Sequence, residues 1–348
     1  MTEMLNQPAR RNNPTIREVA LFADVSIATV SNVLHGKDTL YTALTAERVR
    51  GAVRELGYRP NSVARSLVGQ RTKTLGFVVE QPHGRLTRNS YMSQLLDGYL
   101  EFSVRVGYQI KIITLTNSSC EINRQQLDDG SVDGLALFAP PQDSPLLTWA
   151  SSTRIPVVVA GSVPQPCALP QVDFDDEGAA YRVATWIIGQ GHRSIGRITG
   201  LLSQWSARRR ERGILRAFQE AGLDLSDTWR YEGDYSSCCG ETGAISLLEA
   251  NPDLTAIICG NDRAALGAIT ALQQRGISVP DTVSIVGFDD MDTAQWINPQ
   301  LTTMRQPMSE MGMKAAEILI RHIETGIRDE AANLLSGELI IRQSVRNR

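Results

Sequence analysis

The sequence predicts an α/β protein: a small helix-turn-helix domain at the N-terminus, followed by a larger body of two similar lobes, each a parallel sheet wrapped by helices. Three observations lead there. The stretch "NPTIREVALFADVSIATVSNVLHGK", residues 13–37, carries helical spacing punctuated by caps. From Lys73 onward, β-rich apolar runs alternate with helical ones. Charge is also divided, with ten Lys/Arg against six Asp/Glu in residues 1–71 and 25 against 32 in the remainder.

At 348 residues and 42% hydrophobic content, the chain exceeds one simple core, so two or three domains are expected. No apolar run approaches the roughly 20 residues that cross a bilayer, and "MTEMLNQPARRNN" has no apolar stretch of the signal-peptide kind. A cytoplasmic protein is expected. Cys120, Cys167, Cys238, Cys239 and Cys259 form neither a disulfide framework nor zinc-type spacings, which suits a reducing compartment.

Thr15 and Glu18 form a capping-box pattern, so a helix should begin at Ile16, with Ile16, Val19, Ala20 and Ala23 as its buried stripe. Asp24-Val25-Ser26 then supplies a turn, and Ser26 caps a second helix carrying Ile27, Val30, Val33 and Leu34, ended by Gly36. Two such helices need a third to cover them. "TALTAERVRGAVRELGYRP" provides it, with Thr42 as cap, Val49, Ala52, Val53 and Leu56 facing inward, and Gly57 as terminator. The second helix of such a unit lies in the DNA major groove. A helical bundle that binds protein is the competing reading of this pattern alone. "NSVARSL", Asn61–Leu67, is too short to persist as a helix by itself in water.

In the body, "TLGFVVE", "YQIKIITL", "VDGLALFA" and "IPVVVAG" read as strands of one lobe, separated by helices such as Met92–Val106. "SIGRITG", "LTAIICG" and "TVSIVGFDD" repeat the arrangement after about Gly178. There is no Gly-x-Gly-x-x-Gly fingerprint, no Walker-type loop and no His-Glu-x-x-His motif. An enzyme is not expected, nor a cofactor or metal; His192 in "GHRS" is read as helping to close a helix.

The segments "TIREVALFADVSIATVSNVLHGK" and "AERVRGAVRELGYRPNSVARSL", continued by "DGLALFAP", "GHRSIGRITG", "NDRAALGAITAL", "VSIVGFDD" and "LTTMRQP", resemble the LacI/GalR family of bacterial transcription regulators from Thr15 to about Arg342. The resemblance implies a body like the periplasmic sugar-binding proteins, with three crossovers and a ligand cleft between lobes. It divides the chain into an extension (1–14), a helix-turn-helix domain (15–58), a hinge (59–71) and a ligand-binding and dimerisation domain (72–345). The N-lobe is expected over about 72–162 and 304–328, the C-lobe over about 163–303 and 329–345.

Carried over residue by residue, Ile27, Ala28 and Asn32 face bases, while Thr15, Ser26, Thr29 and Ser31 contact phosphates or fix the helices. Many family members have arginine where Asn32 stands; asparagine suits adenine. Asp24 replaces the usual turn glycine, and "HGKDTLYT" is about one residue longer than the common pattern. Asn61, Ala64, Arg65 and Leu67 belong to a hinge that folds over the minor groove, with Leu67 as the wedge.

For the cleft, the resemblance marks Arg210 as the arginine and Asp289 as its acidic counterpart, with Ser206, Asn261 and Asp262 nearby. Tyr91 or Met92, Phe138 and Tyr235 stand at ligand-facing places, and Trp205 is a further stacking candidate. The implied partners are operator DNA, a second copy of the chain and a small polar effector. A sugar is preferred to a nucleobase or nucleoside. A solute-binding protein without a transcriptional role is the alternative.

Overall fold

The computed structural model describes residues 14–34, 38–58, 71–80, 86, 89–115, 127–224, 226–330 and 332–348. The chain divides into two units, Met1–Thr72 and Lys73–Arg348.

The first unit is built from α1 (Ile16–Phe22), α2 (Ile27–Leu34) and α3 (Ala43–Leu56). The capping box forms: Thr15 N donates to Glu18 Oε2 at 2.6 Å, and Glu18 N donates to Thr15 Oγ1 at 3.4 Å. Val19, Val30, Val33, Val49 and Ala52 meet in the three-helix core. Thr42 caps α3, and Gly57 ends it in the left-handed conformation that glycine adopts without steric cost. The turn after α1 is tied to α3 by Arg48, whose Nη2 donates to the carbonyls of Ala23 (2.5 Å) and Asp24 (3.1 Å). Gly36 lies outside the described residues.

In the second unit, β1 (Thr74–Glu80), β2 (Gln109–Leu115), β3 (Gly134–Phe138), β4 (Val157–Ala160) and β5 (Gln171–Phe174) join β11 (Ala332–Leu335) in one sheet. Its order is β11-β5-β4-β3-β1-β2, and every pairing is parallel. The second sheet runs β12-β10-β9-β8-β6-β7, from β6 (Ile195–Thr199), β7 (Arg230–Glu232), β8 (Ala256–Cys259), β9 (Ser284–Asp289), β10 (Thr302–Arg305) and β12 (Glu338–Ile340). There only the β10–β12 pair is antiparallel. Strands buried on both faces read as continuous apolar runs, which is why "GLALF" and "SIVGF" are legible as strands.

The helices of this unit are α4 (Ser90–Arg105), α5 (Pro145–Ala150), α6 (Asp176–Gly189), α7 (Trp205–Glu220), α8 (Ser237–Ala250), α9 (Asp262–Gln274), α10 (Thr293–Trp296) and α11 (Met308–Thr325). α4 and α11 pack against each other in the N-lobe, α6 with α7 and α8 with α9 in the C-lobe. The first pair meets through glycine: a Cβ on Gly98 would lie 1.8 Å from the Ser309 carbonyl oxygen.

The strand order corrects the expected lobe limits. β5, beyond residue 162, still belongs to the N-lobe sheet, so the first crossing follows Phe174. The second follows Arg305 in β10, and the third follows Leu335, since β11 pairs with β5. The short "QVDF" and "ANLL" segments carry too little periodicity to be assigned to a sheet before their partners are known. His192 also departs from its expected role. Its two ring nitrogens lie 2.9 Å from Thr255 Oγ1 and from the Arg346 carbonyl oxygen, so it joins a strand entrance to the C-terminal segment.

Candidate DNA-reading helix and effector cleft

The turn that presents α2 is held by local bonds. Asp24 adopts φ 48°, a geometry that aspartate tolerates better than most residues. Ser26 Oγ accepts from Thr29 N at 3.0 Å, and the two hydroxyls lie 2.8 Å apart. Val30 and Val33 point into the core, while Ile27 and Ala28 are exposed and Ser31 and Asn32 half-buried. α2 therefore offers short side chains, one amide and a branched apolar group on its free side. Arg17 and Leu21 of α1, which the sequence reading did not single out, line a shallow groove with Ile27. Asn61, Ala64, Arg65 and Leu67 lie outside the described residues.

The groups expected at the effector site gather around α7. Arg210 is buried; its Nε donates to Asp176 Oδ1 at 2.8 Å and its Nη1 to the Gly260 carbonyl at 2.6 Å. The guanidinium carbon sits 3.8 Å from the centroid of the Phe288 ring, a desolvated cation–π contact. Phe288 meets Phe174 of the other lobe edge-on at 6.0 Å. Burial pushes Asp176 and Asp289 up to about 6, and the neighbouring Arg210 charge opposes the shift in both.

Asp289 is not the bonded partner of Arg210. Its Oδ1 accepts from Gln306 Nε2 at 2.5 Å, and its backbone holds φ 124°. The bonded partner is Asp176, at the start of α6. "VDFDDEG" offers three aspartates within four residues, and only the tertiary fold distinguishes the one that faces Arg210.

Tyr235 also has a left-handed backbone, φ 66°, and its ring covers Gly200 so closely that a Cβ there would lie 1.9 Å from Cζ. Its hydroxyl is buried without a hydrogen-bond partner among the described residues, as is the Trp205 indole nitrogen. Burial raises the Tyr235 phenol above its ordinary range, with Arg210 opposing. Tyr91 comes from the N-lobe, its hydroxyl where a Cβ on Gly161 would be 2.3 Å away. Ser206 stands in the first turn of α7, where its amide donates to Ser162 Oγ at 3.2 Å.

Four expected effector residues have other work in the structure. Phe138 stacks on Phe77 with centroids 4.0 Å apart and meets Tyr99 edge-on, and Met92 lies in the same N-lobe core. Asp262 Oδ1 accepts from Thr303 Oγ1 at 2.5 Å and its Oδ2 from Met291 N at 2.7 Å, which ties the start of α9 to β10 and to the segment after β9. Asn261 caps α9 through Ala264 N and holds the Tyr235 carbonyl at 3.1 Å. That bond fixes the Tyr235 backbone. Arg209, Asp173, Asp176, Gln306 and Phe288 were missed; no local spacing signals them, because their partners lie far away in sequence.

Among the described residues, no helix is long and apolar enough to cross a membrane, and no cluster of three metal-ligating side chains occurs.

Residues 15–61 match the family described as bacterial regulatory proteins, lacI family, and residues 184–345 match a periplasmic binding protein-like domain. The HTH-type transcriptional repressor PurR of Vibrio parahaemolyticus is 32% identical over 338 residues, covering 95% of this chain and 98% of the relative. The same-named repressor of Pasteurella multocida is 32% identical over 338 residues, covering 96% and 99%. A lac repressor dimer bound to operator and the anti-inducer ONPF superposes with a TM-score of 0.85 at 26% identity, covering 96% of this chain and all of that one. A complex of the transcriptional regulator CelR with cellobiose gives 0.74 at 29% identity, covering 95% and 99%. With the helix-turn-helix unit, the two-lobed body and relatives matched along nearly their whole length, the chain belongs to the lacI family of bacterial regulatory proteins: it is a DNA-binding transcription regulator and not an enzyme.

Proposed function

We propose that the chain is a dimeric repressor acting in the cytoplasm, and that it senses a small neutral sugar in the cleft between its lobes. The observation that carries the effector reading is the set of buried polar groups around Arg210. The Asp176 and Asp289 carboxylates, the Arg210 cation and the Tyr235 hydroxyl supply acceptors and donors close together. A polyol, each of whose hydroxyls both donates and accepts, matches such a mixed set; a strongly charged ligand would meet like charge on one side or the other. The solved relatives that carry cellobiose and ONPF agree with a small ligand bound to this kind of body.

A flat heterocycle is the second reading, favoured by the aromatic rings of Tyr91, Trp205 and Tyr235. Thermal unfolding against panels of mono- and disaccharides and of nucleobases and nucleosides separates the two. A shift confined to sugars supports the first reading, and a shift confined to nucleobases or nucleosides overturns it in favour of the second.

For DNA, the proposed readers are Ile27, Ala28 and Asn32, with Ser26, Thr29 and Ser31 fixing the helix or meeting phosphates. The proposed hinge contacts are Asn61, Ala64, Arg65 and Leu67. The dimer follows from the need to read two half-sites, and the lac repressor relative is a dimer on operator. Gel shifts with a pseudo-palindrome selected from random duplexes test it; binding no stronger than to scrambled DNA would exclude it.

A further inference from the structure

We propose that Ser162, Arg209 and Asp173 form a latch that holds the two lobes together through the chain's own groups. The argument begins with an unusual helix start. The N-cap residue of α7, Gln204, makes no side-chain capping bond, although the first-turn amides of a helix require acceptors. The Ser206 amide finds its acceptor in the other lobe, at Ser162 Oγ, 3.2 Å away. Ser162 follows β4 and holds φ 51°, directly after Gly161 at φ 71°. A serine stays in that region only where its surroundings fix it, and here the backbone aims its hydroxyl at α7.

One turn further along α7, Arg209 Nη2 donates to Asp173 Oδ2 of β5, in the N-lobe sheet. The same nitrogen lies 3.7 Å from Asp176, on the C-lobe side of the first crossover. Asp173 is held from its own lobe by the amides of Val163 (3.0 Å) and Phe174 (2.9 Å). The two side chains are only 12% and 5% exposed, so solvent screens the pair little, and loss of either partner strands a buried charge. Arg209 and Arg210 thus divide the work: Arg209 reaches the opposite lobe, and Arg210 bonds Asp176 and Gly260 within its own.

Both lobe-to-lobe contacts sit on the first two turns of one rigid helix, so they form and break together. Their strength sets the resting lobe angle against which an effector must act. That consequence rests on the cleft being the effector site, whereas the latch itself does not, and its test needs no effector.

Hydrogen exchange on the effector-free full chain reads the latch at the Ser206 amide. Two variants are compared: Ser162→Gly, which suits the left-handed backbone, and the neutral pair Arg209→Gln with Asp173→Asn, which strands no buried charge. Each is expected to speed exchange in the first turn of α7 by about tenfold, the size of a lost cap, while β6 and β8 keep wild-type protection. Combining the variants should add little, because either one already opens the latch. An unchanged Ser206 amide in the neutral pair, effects that multiply in the combined variant, or loss of protection spread through β6 and β8 would each overturn it.

Discussion

Asn32 and Asp289 show how single residues carry testable chemistry. On α2, Asn32 can form the two bonds that suit adenine N6 and N7, so Asn32→Ala should cost about 1–3 kcal/mol on the preferred half-site and much less on scrambled DNA. Competition gel shifts check this; equal weakening on every sequence would remove Asn32 as a base reader. Asp289 and Asp176 titrate near 6 in the folded body against a usual 3.8, because burial disfavours their charged forms. Between about pH 4 and 6 the folded state therefore binds more protons than the unfolded chain, and these groups make stability fall as pH rises through that window. Urea unfolding at pH 4.5 and 6.5 should show a smaller fall for Asp289→Asn than for wild type. An identical fall would place the titration elsewhere.

At the scale of elements, caps and long apolar runs were legible because they are local. Thr15, Ser26, Thr42 and Gly57 all act at the helix ends where their chemistry places them. Thr15→Ala should lower the stability of the helix-turn-helix unit by about 1 kcal/mol, read by thermal melting of the full chain at its first transition. No change would mean that the capping box contributes nothing measurable. Gly98 is a harsher case, since α4 and α11 touch through it: Gly98→Val should prevent a stable body, whereas the same change at Gly51, where a Cβ meets nothing within 4 Å, should carry only a helix-propensity cost. Phe138, expected to face a ligand, packs on Phe77 in the N-lobe core for a related reason. A buried phenylalanine on a central strand serves the core as well as it would serve a ligand, and sequence position alone does not separate the two.

Across the whole molecule, the two-lobed architecture was readable from alternating strands and helices, but the crossovers were not. β5 and β11 are four-residue segments with little periodicity of their own; β5 joins the N-lobe sheet through β4, and β11 is assigned only by pairing with β5, more than 150 residues away. The same long-range pairing conceals Asp176 beside Arg210 and Asp173 beside Arg209. These residues lie on opposite sides of the first crossover, where bonding on one side and binding on the other bear on the same lobe angle. A ligand can move that angle only by the difference in its affinity for the two arrangements, and couplings of this kind are about 1–3 kcal/mol, or roughly 5- to 150-fold in DNA affinity. The decisive measurement is operator affinity, by fluorescence anisotropy, titrated with the sugar that gives the largest thermal shift, in wild type and in Arg210→Ala. Wild-type affinity should change at least about 5-fold, while Arg210→Ala, with its folded state checked by circular dichroism, should ignore the sugar; a normal sugar response in Arg210→Ala would contradict the account.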